Sequence, residues 1–489
     1  MVIRRGMLSA LALLGVVLIG GCRLHREYSY EKIVARHRTA APPLEAIQPP
    51  GQAPDLSALA KPISMTDAIR LALRNNPQVE QAVARIRQSE ALIDEANAAF
   101  WPALNVYTEY LTGNAPSAYL FKTIDQRMLP PQVDFNDPGA FQNFESGVIA
   151  SYNLFHGGRD LLRRKMAQTG HKISQLERGA IENALVASVI QSYYSTLAAK
   201  DFIDIAAASV ETVSTELNMV QVRYDAGGAL KSDLLSLQVR LAQSKQELIV
   251  AQNHYQLAVA SLANLLGGDA DTPLQLTGEE WQPPPTPADY QAGVERALGM
   301  RPELLKVRQQ LISSQMAVDQ AKSGYAPKLD VLSRTYFDDE HLSYDANRMN
   351  WTVGLILNWD LFTGFNTRAR LSNARAVLDE MLAADRQATQ EIQLDVKTAY
   401  LKRSQAEASF NVSEASVTQA AEALRLVKKE YEGGSATIVR YLDAELARNR
   451  ARILNTAARY DVKKARADIA RALGYFAEVG AAGELMSHN

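Results

Sequence analysis

Two very long stretches of the sequence carry a helical pattern with almost no interruption. The chain contains neither proline nor glycine from Asn366 to Glu432, and between Arg159 and Ala226 only Gly170 and Gly179 interrupt the pattern. Both stretches are rich in Ala, Leu, Arg, Glu and Gln, which are mostly strong helix formers. At a rise of 1.5 Å per residue, each stretch predicts a helix about 100 Å long.

Each long stretch ends at a glycine-containing turn, and the two turns are similar. The segments Tyr224–Leu235 and Tyr431–Leu442 keep Tyr, Gly and Leu in register, 207 positions apart. Glycine just beyond a helix end adopts the left-handed conformation readily, and Ser232 or Thr437 could accept backbone N–H groups of the next helix. We therefore predict two long helical hairpins whose tips lie at these two segments.

Short segments that alternate between apolar and polar residues precede both long helices. The alternating positions are Leu104, Val106, Thr108, Tyr110, Val148, Ala150, Tyr152 and Leu154 in the first half, and Leu329, Val331, Ser333, Thr335, Leu355, Leu357, Trp359 and Leu361 in the second. This pattern is typical of membrane-barrel strands with one face toward lipid and the other toward water. Trp101, Trp351 and Trp359 lie at or beside these segments, as in an interfacial aromatic belt. A soluble pair of antiparallel hairpins with one buried face is the alternative.

The two halves of the chain repeat each other, with one change of spacing. Pro77 matches Pro302, 225 positions later, whereas Asn153 matches Asp360, 207 positions later. The 18 additional residues of the first copy therefore lie between residues 104 and 153. Insertions are best tolerated in surface loops, so we expect a loop at about 111–146, dense in turn formers and extracellular if the strands cross a membrane.

The first 22 residues have the features of a secretory signal. Arg4 and Arg5 precede an apolar core that is too short to span a membrane. The sequence Ile19-Gly-Gly-Cys22 then resembles the bacterial lipobox, in which the cysteine is lipidated, with palmitate among its acyl chains, and becomes the mature N-terminus. In lipoproteins of this type Asp at the next position tends to retain the protein at the inner membrane, so Arg23 implies export to the outer membrane. An ordinary signal peptide with an incidental cysteine is the alternative.

These features divide the chain into six parts. They are a signal peptide (1–21), a lipidated tether (22–62), a first repeat (63–270) with a β-hairpin at about 103–155, a proline-rich linker (271–288), a second repeat (289–475) with a β-hairpin at about 328–362, and a tail (476–489).

Composition and motifs argue against several classes of function. The net charge of −2 and the pI near 6.4 give no basic surface for nucleic acid. The seven histidines lack metal-ligand spacing, and the sequence holds neither a P-loop, nor a nucleophile elbow, nor a Cys/His cluster. We predict no catalytic, cofactor or metal site, so the chain is not expected to be an enzyme.

Taken in order, the duplicated motifs resemble the TolC-like outer-membrane efflux protein family, in its lipoprotein branch. The matching features are Ala72-Leu73 before Pro77 and Ala297-Leu298 before Pro302, Pro102 and Pro327 before strands, the Leu-Phe-x-Gly exits at Leu154 and Leu361, and the Tyr-x-x-Gly tips. The resemblance implies an α plus transmembrane β fold. Three chains would form one tube, each giving four strands to a 12-stranded outer-membrane barrel and four helical paths to a 12-helix periplasmic α-barrel.

The trimer also has a physical rationale. Four strands leave open edges that lipid cannot satisfy, so one chain cannot make a spanning barrel. Two chains would give eight strands, whose interior is filled by side chains. Three chains are the smallest number that leaves a duct.

The resemblance implies a passive, gated exit duct of a tripartite efflux or type I secretion system. Its partners would be an inner-membrane pump, which supplies the energy, and a periplasmic adaptor. A different interpretation is a periplasmic adaptor or a structural coiled-coil lipoprotein, because adaptors also carry long helical hairpins. Adaptors usually have one hairpin set in other domains, whereas here two hairpins alternate with paired strands.

The resemblance also implies a gate at the two tips. The candidate residues are Tyr224, Gly227, Asp233, Tyr431, Gly434, Arg440 and Asp443. In the family, acidic residues at the start of the returning helix commonly ring the entrance; Asp443 occupies one such position, and Arg440 stands where a second acid is often found. Ala436 replaces a tip arginine that locks some family members shut. Alternatively, Arg440 and Asp443, three residues apart, form an ordinary surface pair.

Overall fold

A computed structural model describes residues 62–134 and 136–477 of the chain. The described residues form two compact units, one made of residues 91–167 and 315–376 and the other of residues 62–90, 168–314 and 377–477. The predicted signal peptide, Cys22, nearly all of the predicted tether and most of the predicted tail lie outside the described residues.

Within the described residues, all but one of the helices in the first half of the chain have a counterpart of equal length in the second half. In chain order they are α1 (Met65–Asn75), α2 (Pro77–Asn97), α3 (Pro116–Asp125), α4 (Arg159–Asp225), α5 (Lys231–Leu265), α6 (Tyr290–Met300), α7 (Pro302–Lys322), α8 (Asn366–Glu432) and α9 (Ile438–Ala472). Helices α4 and α8 have 67 residues each, and α5 and α9 have 35 each. Proline opens α2 and α7, where its missing N–H is harmless. Among the described residues, no helix combines the length and the apolar character needed to cross a membrane.

Four strands form one antiparallel sheet in the first unit. They are β1 (Ala103–Gly113), β2 (Phe141–His156), β3 (Lys328–Asp339) and β4 (Met349–Asn358), and each pairs with the next. Strands β2 and β3, which come from different halves of the chain, are therefore neighbours. Strands β1 and β4 are the edges, each with one unpaired side.

The register places the residues of all four strands on two chemically different faces. Val106 pairs with Val148, Val148 with Thr335, and Thr335 with Trp351, so these four side chains share one face. We call it the apolar face, because it carries the exposed side chains of Leu104, Val106, Val148, Trp351, Val353, Leu355 and Leu357. The other face carries Glu109, Glu145, His156, Lys328, Asp330, Arg334 and Asp338, which are the acidic and basic side chains of the strands apart from Asp339. We call it the polar face. This partition agrees with the alternation in the sequence.

The alternation was wrong at one position of β2. Asn153 pairs with Asp330 and Phe155 with Leu329, so Leu154 is an extra residue at a β-bulge. A bulge shifts the alternation by one residue, and Phe155 therefore takes the place on the apolar face that we gave to Leu154.

The predicted strand before α8 was too long, and the predicted loop before β2 was too simple. Strand β4 ends at Asn358, and beyond it the indole N–H of Trp359 donates to the carbonyl of Tyr325 at 3.0 Å. Between β1 and β2, where we expected only turns, the chain forms α3. Pro116 opens this helix, and the turn formers follow it.

The main apolar core of the second unit lies around Tyr193, whose hydroxyl donates to the carbonyl of Ile63 at 3.0 Å. The predicted linker takes part in this core through the buried Leu274. Phe476, which we placed in the tail, is also buried, and its ring lies 5.8 Å from that of Trp281. The core therefore includes residues from segments that the sequence marked only as connections.

Candidate functional site

The first hairpin tip is closed by a hydrogen-bonded turn that explains its Tyr-x-x-Gly motif. The N–H of Gly227 donates to the carbonyl of Tyr224 at 2.9 Å, and the N–H of Gly228 donates to that of Arg223 at 2.7 Å. Gly227 has a φ of +77°. This pair of bonds is the Schellman motif, which satisfies the last carbonyls of α4 and requires a left-handed residue at the glycine position.

The second tip repeats this arrangement. The N–H of Gly434 donates to the carbonyl of Tyr431 at 3.1 Å, and the N–H of Ser435 donates to that of Glu430 at 2.8 Å. Gly434 has a φ of +78°. The tyrosine and glycine of each motif therefore hold corresponding places in one backbone geometry.

The helices that follow the two tips begin differently. Thr437 caps α9, and its hydroxyl accepts the N–H of Arg440 at 3.4 Å. Helix α5 follows Leu230, which offers no side-chain cap, and Ser232 already lies within the first turn. The prediction that Ser232 caps this helix was wrong, because the helix starts one residue before it.

An apolar cluster joins the two hairpins just behind their tips. Its buried members are Val213, Val220, Leu234, Leu237, Leu424, Ile438 and Tyr441. Tyr224 and Tyr431 pack against this cluster, and the ring of Tyr431 stacks on that of Tyr441 with centroids 5.6 Å apart. Two of the candidate gate residues thus help to hold the hairpins together.

Burial and nearby carboxylates raise the pKa values of Tyr431 and Tyr441. Burial is the main cause of the raised pKa of Tyr441, and Glu216 and Glu445 add to it. The pKa of Tyr431 is raised first by burial and then by the negative charges of Asp233 and Glu216. Both hydroxyls therefore stay protonated, and the candidate residue Asp233 lies close enough to Tyr431 to act on it.

Glu216, one of these carboxylates, itself has a raised pKa. It lies on α4 and is almost fully buried. Burial raises its pKa, while Lys428, whose Nζ lies 3.9 Å from Oε2, opposes the rise.

Arg440 and Asp443 do not pair with each other. Nη1 of Arg440 lies 3.1 Å from Oε2 of Glu430 on α8, and both side chains are exposed. Asp443 is exposed and forms no ion pair within the described part of the chain. The surface pair that we considered as the alternative is therefore not formed, and the Asp443 carboxylate is open to solvent.

A buried polar cluster that we did not predict lies next to the apolar one. Nη2 of Arg240 on α5 lies 3.2 Å from Oε2 of Glu445 on α9, and both residues are buried. Ser209 donates to Glu445 at 3.2 Å, and Asn449 donates to both Glu445 and Ser209. We call Arg240, Glu445, Ser209 and Asn449 the polar clamp. A signal existed in the sequence, because Glu445 continues the three- and four-residue spacing of Ile438 and Tyr441, where an apolar residue is expected.

Comparison with known proteins identifies the family. The sequence profile of the outer membrane efflux proteins matches residues 68–268 and 293–475. The chain belongs to this family. The resemblance to this family inferred from the motifs is confirmed, whereas its lipoprotein branch stays a prediction, and the adaptor interpretation is set aside.

Individual relatives and a solved structure resemble the chain over most of its length. The chain is 25% identical over 379 residues to the pyoverdine export outer membrane protein OpmQ of Pseudomonas aeruginosa. This alignment covers 77% of this chain and 78% of that protein. It is 24% identical over 404 residues to the alkaline protease secretion protein AprF of the same organism, with 82% of each covered. The outer-membrane channel OprN superposes with a TM-score of 0.73 at 19% identity, covering 89% of this chain and 99% of that structure. The fold is thus that of the TolC-like outer-membrane channels, whose members are channels and not enzymes.

Proposed function

We propose that this efflux protein is the passive, gated exit duct of a tripartite efflux or type I secretion system. A periplasmic adaptor would couple it to an inner-membrane pump that supplies the energy. The observation that carries the proposal is the sheet with one exposed apolar face and one charged face, formed by two strand pairs that are each followed along the chain by a pair of long helices. Lipid against the first face and water against the second would satisfy both.

We propose that three chains assemble around this duct. The free edges of β1 and β4 offer unpaired backbone groups, and joining β4 of one chain to β1 of the next removes every edge. The result is a 12-stranded barrel continued by a 12-helix periplasmic barrel. The equal lengths of α4 and α8 and of α5 and α9 support an internal duplication, with repeats at 63–270 and 289–475.

We propose an outer-membrane location with a lipid anchor on Cys22. The lipobox-like Ile19-Gly-Gly-Cys22 and the following Arg23 support it. Mass spectrometry of the mature N-terminal peptide checks this part: a lipidated cysteine is expected, and an unmodified terminus beyond residue 22 contradicts it.

We propose that the two tips form the pump-side gate. Tyr224 and Tyr431 would hold the hairpins in the closed arrangement through the apolar cluster, while Gly227 and Gly434 set the turns. Asp233 would act on the gate through Tyr431, whose pKa its negative charge helps to raise. The exposed Asp443 and Arg440 would line the entrance, where three copies of each charge act on passing ions.

The relatives support a passive role. One is named for the export of pyoverdine and another for the secretion of alkaline protease. A duct that leaves selection and energy to its partners serves both kinds of cargo. We propose that this chain likewise takes its cargo from the pump with which it assembles.

The test is to express the full chain and follow its location, assembly and conductance. We expect it in the outer-membrane fraction, as a detergent-stable trimer that forms discrete channels in planar bilayers. Protease added to intact cells should cut between α3 and β2 and leave both tips whole. A soluble periplasmic monomer without channel activity contradicts the proposal, and cleavage at the tips contradicts the orientation.

A further inference from the structure

Helix α3 lies on the polar face of the sheet. Nζ of Lys122 lies 3.2 Å from Oδ1 of Asp338 and also forms an ion pair with Glu145. Gln126 donates to the side chain of Asn143 at 2.7 Å. Asn143, Glu145 and Asp338 all belong to the polar face, because Glu145 pairs with Asp338 in the register and Asn143 lies two residues from Glu145. The helix therefore covers the face that carries the charges.

The attachment extends to β4. The side chain of Asn350 donates to the carbonyl of Asp125 at 3.1 Å, and Arg127, just after the helix, donates to the carbonyl of Met349 at 3.2 Å. At the other side, the ring of Tyr119 meets that of Phe141 edge-on at 6.4 Å. Contacts to β2, β3 and β4 thus fix α3 across three of the four strands.

The buried carboxylates beneath α3 are compensated in part by a cation of the helix, Lys122. The side chain of Asp338 is fully buried and that of Glu145 is 3% exposed. Buried carboxylates are tolerated only where cations and hydrogen-bond donors compensate them. Arg334 pairs with Glu145, whereas the cation paired with Asp338 is Lys122. Removing the helix would leave Asp338 with Asn143 as its donor, at 2.6 Å.

Only the first half of the chain builds this helix. The connection between β3 and β4 is shorter and contains a single 3₁₀ turn, Ala346–Arg348. The longer connection between β1 and β2 is the place where the sequence repeat gains 18 residues. The additional residues thus supply a helix that folds back onto the sheet, and not merely a longer exposed loop.

We propose that α3 is a constriction inside the outer mouth of the duct, held on the duct-facing surface by Lys122. This inference rests on the proposed function, since α3 lies inside the duct only if the polar face lines it. A helix with its side chains is about 10–12 Å wide, and a trimer places three of them around one mouth. The mouth then admits small solutes in the attached state and bulky ones only when the Lys122 contacts release.

The experiment places a reporter thiol behind the constriction. Ser151→Cys lies on the polar face of β2, six residues and about 20 Å along the strand from Glu145. Intact cells are treated from outside with a small methanethiosulfonate or with a large poly(ethylene glycol) maleimide, and the parent chain without Ser151→Cys gives the background. The small reagent should label the cysteine and the large one should not.

Lys122→Met keeps the length of the side chain and removes its charge. In the Ser151→Cys background it should raise the rate of labelling by the large reagent at least about tenfold, which corresponds to 1.4 kcal/mol in the attachment equilibrium. Lys122→Arg, which keeps the cation, is the matched control and should be labelled like the chain that carries Ser151→Cys alone. A second variant, with Pro116–Asp125 replaced by a Gly/Ser segment of equal length, should match or exceed Lys122→Met.

The possible failures are distinguishable. If the large reagent labels Ser151→Cys alone as fast as it labels the Gly/Ser variant, α3 does not narrow the mouth. The inference is then overturned, and the proposed function as a duct is unaffected. If even the small reagent fails to label Ser151→Cys in the outer-membrane trimer of the Gly/Ser variant, which lacks α3, the polar face does not line a water-filled duct. The proposed function then fails, and the constriction with it.

Discussion

Arg240 and Glu445 form a buried ion pair between α5 and α9, with Nη2 and Oε2 at 3.2 Å. The side chain of Glu445 is fully buried and that of Arg240 is 8% exposed. The pair therefore connects the returning helices of the two hairpins directly behind the apolar tip cluster. A buried pair adds little net stability compared with apolar residues, but the loss of one partner strands a charge in the interior.

Arg240→Leu should loosen the tips strongly, because it leaves the Glu445 carboxylate buried with the neutral donors Ser209 and Asn449 but without its cation. Removal of one partner of a buried pair costs about 3–5 kcal/mol, whereas an exposed pair contributes about 0–1 kcal/mol. Arg440→Leu, which breaks the exposed pair with Glu430, is the matched control. Hydrogen exchange of the backbone amides of the tips measures the opening free energy of each variant. Equal protection in the two variants would show that the polar clamp does not hold the hairpins.

Alanine at Gly227 or Gly434 should destabilise the corresponding tip. Both glycines have positive φ values and open space at the Cβ position, so the penalty is the backbone conformation alone. That penalty is about 1–2 kcal/mol for a residue with a Cβ. Gly228→Ala is the control, because its Cβ would meet only an ordinary contact at 3.5 Å and its φ is not positive. We expect faster amide exchange at the altered tip only; equal effects at Gly228 and Gly227 would contradict the turn geometry.

The features that the sequence predicted well have local causes. The ends of α4 and α8 lie at Tyr-x-x-Gly motifs, and glycine at a positive φ can be inferred from the residues beside it. The two faces of the sheet follow from period-two alternation within each strand. Neither feature depends on which distant segment packs against it.

The features that were missed depend on contacts between distant segments. The bulge at Leu154 exists because β2 pairs with β3 from the other half of the chain. Helix α3 is attached through Lys122 to Asp338, 216 residues away. The polar clamp joins Arg240 to Glu445 across 205 residues. No single segment contains the information that these side chains meet.

Arg440 and Asp443 should change ion selectivity in opposite directions. If both line the entrance, three Asp443 carboxylates favour cations and three Arg440 guanidinium groups oppose them. Arg440→Asp should therefore raise the cation preference of single channels in planar bilayers, and Asp443→Asn should lower it. The effect should shrink at high salt, because screening weakens exposed charges. Unchanged selectivity and conductance in both variants would place these residues outside the entrance.

Glu216 should make the tips more stable in mild acid than at neutral pH. Burial raises the pKa of Glu216 above its ordinary value of 4.5. Because the folded state holds this proton more tightly than the unfolded state, the stability that Glu216 contributes is fully present below 4.5 and is lost as the pH rises through the raised pKa. The neighbouring charges act in both directions, since Lys428 and Arg223 lower this pKa and Glu432 raises it.

Glu216→Gln removes the ionisation and keeps the shape of the side chain. It should slow the opening of the tips at pH 7 and reduce the difference in opening free energy between pH 7 and pH 5. Amide exchange at the tips, corrected for the intrinsic pH dependence of exchange, measures both effects. The control is Glu211→Gln, an exposed position on the same helix, which should leave the profile unchanged. Arg471 and Arg301 bind Asp395 and lower its pKa below the ordinary value of 3.8 despite its partial burial. Its ionisation therefore changes the stability only below pH 3.8, outside the range from pH 5 to pH 7. A Glu216→Gln profile that follows the parent would mean that another group controls the pH response of the tips.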